Sequence, residues 1–206
     1  MKLYHSTASP FVRKVMVLAH ETGLVSRLDL VSAVVSPVAR DAGVVAHNPT
    51  GHIPTLLLDD GTALYDSAVI CQYLDTLHDG PPMLPAEPLA RARALCLQAL
   101  GDGIMNAGVL IRFENALRPP DLRWPAWLDG QTSKIQSSLD ALERDWLAYL
   151  EQQIDIGTIS VACALGYIDF RELRPGWRTA VPALADWHAR FAQRGSMQQT
   201  QLRAIA

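Results

Sequence analysis

The spacing of apolar and polar residues changes several times along this chain, and each change marks an element. Lys2 to His5 opens the chain as a short strand. From Phe11 to Glu21 the apolar residues fall at Phe11, Val12, Val15, Met16, Leu18 and Ala19, which is one face of a helix. Ser9 stands at its N-cap and Pro10 in its first turn, where a missing N–H costs nothing. Thr22-Gly23 ends it, with glycine just past the last turn. Leu28 to Val31 predicts a second strand, so the opening is β-α-β with a parallel pair and a right-handed crossover. Val38 to Val45 fits either a short helix or a loop.

Asn48-Pro49-Thr50-Gly51 reads as a turn. Ile53-Pro54 comes directly before a strand from Thr55 to Leu58, where proline belongs at a strand start or edge. A cis bond there would turn the backbone groups of Ile53 out of the sheet; the residues leave the isomer open. Asp59-Asp60-Gly61 is a hairpin turn, and Thr62 to Tyr65 returns antiparallel. Asp66 and Ser67 mark the start of a second helix, with apolar positions at Ala68, Val69, Ile70, Tyr73, Leu74 and Leu77.

A boundary follows. Pro81 to Pro88 holds four prolines in eight residues, which excludes a regular helix or central strand through that stretch. Beyond it the pattern is helical throughout. Leu89 to Ala116 predicts one long helix, with Gly101-Asp102-Gly103 as a candidate kink. Trp127 to Glu151 predicts another, with Ile135, Leu139, Leu142, Trp146 and Leu150 near one face. Asp155 is the expected N-cap of a third, running through Tyr167. Thr158, three residues on, is expected to be too short to close a reciprocal capping box as Glu or Gln would. Pro182 to Arg194 predicts a last helix, closed by Gly195-Ser196. The expected organisation is residues 1–79 as an α+β domain, 80–88 as a linker and 89–206 as an all-α domain.

Composition narrows the function classes. Hydrophobic residues make up 49% and charged residues 19%, enough apolar side chain for a proper core and not a disordered composition. The formal net charge of −3, without a basic block, argues against nucleic acid as a partner. Cys71, Cys96 and Cys163 show no metal-ligand spacing; their odd, sparse count suggests reduced thiols in a cytoplasmic compartment, each expected to be buried packing. No signal-peptide pattern opens the chain, and no uninterrupted apolar run reaches the ~20 residues of a membrane span. Neither a metal nor a membrane is therefore expected.

A helix N-terminus carries free N–H groups and a partial positive charge, so a hydroxyl at Ser9 is well placed beside an anion, and in particular a thiolate. The order β-α-β, then a loop into a hairpin, then a helix is the thioredoxin-like plan. Three blocks sit on it: Ser9-Pro10-Phe11, His52-Ile53-Pro54-Thr55-Leu56, and Leu64-Tyr65-Asp66-Ser67-Ala68-Val69-Ile70 ending in Tyr73-Leu74. In order and separation they resemble the signature blocks of the cytosolic glutathione S-transferases, of a bacterial kind with a serine active site. The resemblance is close over the N-terminal domain and looser over the helical one.

That resemblance implies a fold, a ligand and roles. The fold is a thioredoxin-like βαβ-ββα domain followed by an all-α domain. The ligand is glutathione, as co-substrate. Ser9 would stabilise its thiolate, with Phe11 beside it; Ile53, before Pro54, would bond the cysteinyl backbone; Asp66 and Ser67 would hold the γ-glutamyl end. His52 takes a place that is often Lys in similar sequences and would reach the glycyl carboxylate, carrying only a partial charge at neutral pH. Ser6 and Thr7 compete with Ser9 for the thiol, and Tyr4 lies nearby in the first strand. Without a cysteine at position 9, transfer of the thiol to an alkyl or aryl group is favoured over thiol–disulfide exchange. Met105, Asn106, Val109, Leu110 and Phe113 are candidates, at helical spacing, to meet a hydrophobic electrophile. The family further implies a cytoplasmic homodimer. Two other readings stay open: a non-catalytic member binding glutathione or a protein, and a glutathione-dependent isomerase or dehalogenase.

Overall fold

The computed structural model describes residues 1–204 and divides the chain into two compact units. The first comprises Met1–Ala86 together with the described residues from Gly195 on; the second is Glu87–Arg194.

The first unit is built on a four-stranded mixed sheet in the order β2-β1-β3-β4: β1 Lys2–His5, β2 Asp29–Ser32, β3 Thr55–Leu57 and β4 Ala63–Leu64. β1 pairs parallel with β2, Leu3 opposite Leu30, and antiparallel with β3, Leu3 opposite Leu56. β3 pairs antiparallel with β4. Leu3 and Leu56 are fully buried, as neighbours on one face of the pleat must be when helices cover it. The covering helices are α1 (Pro10–Glu21) and α3 (Ser67–Leu74), which pack on each other, α3 also on β3. They bury Val12, Val15 and Leu18 from α1 and Ile70, Cys71 and Leu74 from α3. The ambiguous stretch before the turn contains a short helix, α2 (Ala42–Val45), because Asp41 Oδ1 accepts the Val44 N–H at 3.0 Å and caps it. The hairpin turns at Gly61, whose φ of +88° suits glycine. The proline-rich stretch is pinned to the end of α3: the Asp75 carboxylate accepts the Met83 and Leu84 N–H groups at 2.7 and 2.9 Å.

The helical unit is organised by α4 (Pro88–Leu117), capped by the Glu87 carboxylate, which accepts the Leu89 and Ala90 N–H groups. It packs along α7 (Ile156–Arg171) and on α5 (Pro125–Ala141). α4 is one continuous helix through Gly101-Asp102-Gly103. The reason for Gly101 is close approach: a Cβ there would lie 2.8 Å from the Ser160 carbonyl carbon of α7. By length and composition α4 could cross a membrane, yet half of its most apolar window is buried in the helical unit, the signature of a core helix.

The expected helix over Trp127–Glu151 is α5, one wide turn over Leu142–Trp146, and α6 (Leu147–Gln152). Its apolar positions from Leu142 to Leu150 advance in steps of four, longer than a 3.6-residue turn, and one widened turn keeps Leu150 buried. The capping box that Thr158 was expected not to close is closed. Asp155 Oδ1 accepts the Thr158 N–H and Thr158 Oγ1 accepts the Asp155 N–H, both at 2.9 Å. The extended backbone of Asp155 (φ −150°, ψ −177°) brings its N–H within reach of a hydroxyl as short as threonine's. The Tyr149 hydroxyl donates to Asp155 Oδ2.

Two further corrections concern the end of the chain. A short α8 (Trp177–Ala180) precedes α9 (Pro182–Phe191), which stops before Arg194. Gly195 opens another helix instead of closing one: α10 (Gly195–Gln199) packs on α1 in the first unit. The cysteines also divide. Cys71 and Cys163 are buried, but Cys96 is exposed, because it lies off the α4 face formed by Ala94, Leu97 and Gly101.

Candidate functional site

The candidate site is assembled at the ends of three elements of the first unit. β1 delivers the chain through Ser6-Thr7-Ala8 to Ser9, the N-cap of α1. Ser9 is extended (φ −88°, ψ 121°), and its Oγ accepts the Val12 N–H at 3.3 Å. With a lone pair engaged by that N–H, the hydroxyl proton of Ser9 is left to donate to a group placed beside it. Phe11 follows, half-buried.

The two competing hydroxyls are arranged differently. Thr7 Oγ1 donates to the Arg203 carbonyl at 3.3 Å, so its proton is engaged. Ser6 is buried, and its Oγ accepts the Ala8 N–H at 3.2 Å. Tyr4 is half-buried against the apolar cluster of Val12, Ala33, Val44 and Ile53, with its ring 5.7 Å from that of His47. Of the four, Ser9 alone combines partial exposure with a helix N-terminus. Nearby, burial lowers the pKa of His5 on β1, so its imidazole favours the neutral form.

The second block meets the first through packing. Ile53 shares its cluster with Val12, the residue whose N–H caps on Ser9. The Ile53–Pro54 peptide is cis, as is Tyr65–Asp66. The β1–β3 ladder ends at Tyr4 opposite Thr55, so Ile53 stands beyond the last paired residue. The bend is held by Asn48, which is almost wholly buried. Its Nδ2 donates to the His52 carbonyl at 3.1 Å and to Thr55 Oγ1 at 3.0 Å. Its Oδ1 accepts the Thr50 N–H at 3.0 Å and the Thr50 hydroxyl at 2.7 Å. Thr55 Oγ1 in turn donates to the His52 carbonyl at 2.9 Å. The backbone of His52 is thus fixed while its side chain is exposed. Asn48, which shapes this bend, is read from the sequence only as part of a turn. The available signal was an asparagine seven residues before a threonine that opens a strand.

The third block lies at the head of α3. Asp66 is exposed and caps that helix, Oδ1 accepting the Ala68 N–H at 2.9 Å; Ser67 is buried in its first turn. Among the described residues neither bonds directly to Ser9 or Ile53; α3 reaches them by packing on α1 and β3. In the helical unit the candidates on α4 divide by burial. Met105 is core, Val109 and Phe113 are half-buried, and Asn106 and Leu110 are exposed.

Comparison with known proteins gives a consistent answer. Residues 8–77 match the glutathione S-transferase N-terminal domain, and residues 125–190 the glutathione S-transferase C-terminal domain. The chain is 36% identical to the uncharacterized GST-like protein YibF of Escherichia coli K12, over 98% of each chain. It belongs to the glutathione S-transferase family. Among solved structures, a glutathione transferase family member from Pseudomonas fluorescens Pf-5 with bound glutathione is 51% identical. The match covers 98% of this chain and 99% of that one, with a TM-score of 0.97. A second structure of a Pf-5 family member holds S-(propanoic acid)-glutathione. It is 50% identical over 99% of this chain and 100% of that one, with a TM-score of 0.91. The thioredoxin-like sheet unit and the all-helical unit are those of this transferase family.

Proposed function

We propose that this chain is a glutathione transferase that joins the glutathione thiolate to a hydrophobic electrophile, with Ser9 as its catalytic residue. The observation that carries the reading is the state of the Ser9 hydroxyl: it accepts the Val12 N–H at the mouth of α1 and keeps a proton to donate. Glutathione lies along the three blocks. Its cysteinyl backbone meets Ile53 before cis-Pro54, its γ-glutamyl end meets Asp66 and Ser67, and His52 faces the glycyl carboxylate. The glutathione bound to a relative 51% identical supports this ligand, and the S-substituted glutathione in a second structure from the same organism supports conjugation over binding alone.

The energetics suffice without a formal base. A hydrogen bond to a charged group contributes roughly 1.5–3 kcal/mol. The helix N-terminus adds about 0.3–1 kcal/mol. At 1.36 kcal/mol per pKa unit, a thiol that ionises near ~8.5 in water ionises about one to three units lower here. The thiol proton leaves to solvent, Ser9 donates to the sulfur anion, and the sulfur lone pair forms the new bond to carbon. The departing group, or the activated double bond, takes the electron pair. The working form on this reading is a cytoplasmic homodimer, as the family implies.

The test is an ultraviolet titration of bound glutathione in wild type and Ser9→Ala. Thiolate absorbance well below pH ~8.5 in wild type, returned to the free value by the substitution, is the expected result. Bound glutathione with an unshifted thiol would sink the reading. Product analysis with candidate electrophiles separates conjugation from isomerisation or dehalogenation.

A further inference from the structure

Thr7 was a competitor for the thiol, and the structure gives it other work. The Arg203 N–H donates to the Thr7 carbonyl at 3.1 Å, and the Thr7 hydroxyl donates to the Arg203 carbonyl at 3.3 Å. Two bonds thus join one residue of the Ser9 loop to one residue 196 positions away. The segment that carries Arg203 is itself anchored. Arg13 Nη2 of α1 donates to the Met197 carbonyl at 3.3 Å, the Ser196 hydroxyl donates to the Glu21 carboxylate, and Ser196 and Met197 are buried. The segment therefore runs from a fixed seat on α1 to the loop before that helix. Inside the loop the Ser9 N–H donates to the Ser6 carbonyl at 3.2 Å and the Ala8 N–H to Ser6 Oγ at 3.2 Å. Ser6 closes the loop from within, and Thr7 ties it from outside.

We propose that Thr7, through its paired bonds to the Arg203 backbone, is a positioning residue that holds the Ser9 hydroxyl at the thiol site. The proposal rests on the transferase reading only for what Ser9 meets; the tie itself is a property of this chain. Thr7 and Arg203 are both exposed, so each bond is individually modest and its loss alters the placement of Ser9 more than global stability. The arrangement also separates two hydroxyls two residues apart: that of Thr7 is bound to protein, and that of Ser9 is held for the ligand.

The experiment uses the full chain with Thr7→Val, which removes the hydroxyl bond, Arg203→Pro, which removes the N–H, and Thr7→Ser, which keeps a hydroxyl. α10 keeps its own anchors in all three. Hydrogen exchange of the Ser9 and Val12 amides is measured in each, beside the melting temperature and the bound-thiol titration. Thr7→Val and Arg203→Pro should speed Ser9 amide exchange about fivefold, the factor that one lost bond of about 1 kcal/mol gives. They should also raise the bound-thiol pKa and lower kcat more than they raise KM for glutathione, with melting nearly unchanged and Thr7→Ser restoring wild-type values. Unchanged Ser9 exchange in both variants overturns the tie. Faster exchange with an unmoved thiol pKa and kcat overturns the positioning role. A wild-type thiol already at its free value removes the transferase reading, and the exchange result then still decides the tie.

Discussion

The two units of this protein keep order by different means. In the first, polar side chains do it: Asn48 ties the bend before β3, Asp75 pins the proline-rich stretch, and Ser9 caps α1. In the helical unit, missing side chains add to the helix caps. Gly101 lets α4 come up against the Ser160 backbone, and a Cβ on Gly157 of α7 would lie 2.7 Å from the Ala94 carbonyl oxygen. Hydrogen bonds are directional, so they suit a unit that must present particular backbone groups to a ligand. Close steric packing is indifferent to ligand chemistry and suits a unit whose helices only need a fixed separation. The candidate site accordingly lies where polar ties hold a loop and a bend of the backbone.

Four substitutions would break or sharpen that contrast. The largest effect is expected in the helical unit. Gly101→Ala places a methyl against backbone that cannot turn aside, and should cost about 3 kcal/mol of unfolding free energy, the upper part of the overpacking range. Gly103→Ala, with open space around its Cβ, should instead stabilise by about 1 kcal/mol through helix propensity. Urea unfolding of the pair reads the difference directly; equal effects would mean that close approach at Gly101 does not matter.

The next effect belongs to the first unit. Asn48→Ala strips partners from Thr50, His52 and Thr55 and should cost about 2 kcal/mol. It should weaken glutathione binding more than it slows turnover, because it displaces Ile53 and not Ser9. Calorimetric binding with unchanged affinity would show that the bend holds its shape without Asn48.

The smallest effect is one of pH. Glu114 is buried at the end of α4, where Arg118 Nε bonds its Oε2 at 2.8 Å and the Trp124 N–H its Oε1 at 3.1 Å. The Arg118 bond, ahead of the Trp124 one, holds the carboxyl below the usual carboxylate range. A lowered pKa in the folded state means stability that is present above the unfolded value of about 4.3 and is lost as pH falls through the folded value. The melting-temperature gap between wild type and Glu114→Gln should therefore narrow on acidification from neutral pH. A gap that stays constant would assign the contribution to packing alone.

What was legible in the residues follows from range. β1, α1, β3 and the start of α3 are set by alternation, helical spacing and caps within a few residues and were read to within one or two positions, whereas α3 ends at Leu74, three residues before the expected Leu77. The positions of Ser9, Ile53 and Asp66 at element ends follow from the same local signals. Features made by distant partners left no such trace. The tie between Thr7 and Arg203 joins opposite ends of the described chain, and nothing near either residue announces it. Gly101 reads locally as a helix weakness because its reason lies on α7. The α10 helix was lost because Gly195, an ordinary stop signal, here begins an element. The Asn48 clamp was locally visible as residue types, but a turn asparagine and a buried hub have the same short-range sequence.

The first unit is made from two separated stretches of chain, since α10 returns to α1 after the whole helical unit has intervened. A ribosome makes protein from the N-terminal end, and upstream domains ordinarily fold first. Here the sheet, α1 and α3 emerge early, but the residues that cover Arg13 and reach Thr7 are translated only after α9. The loop that holds Ser9 therefore acquires its last tie only after the helical unit has been translated, so the candidate site is completed after the sheet that carries it.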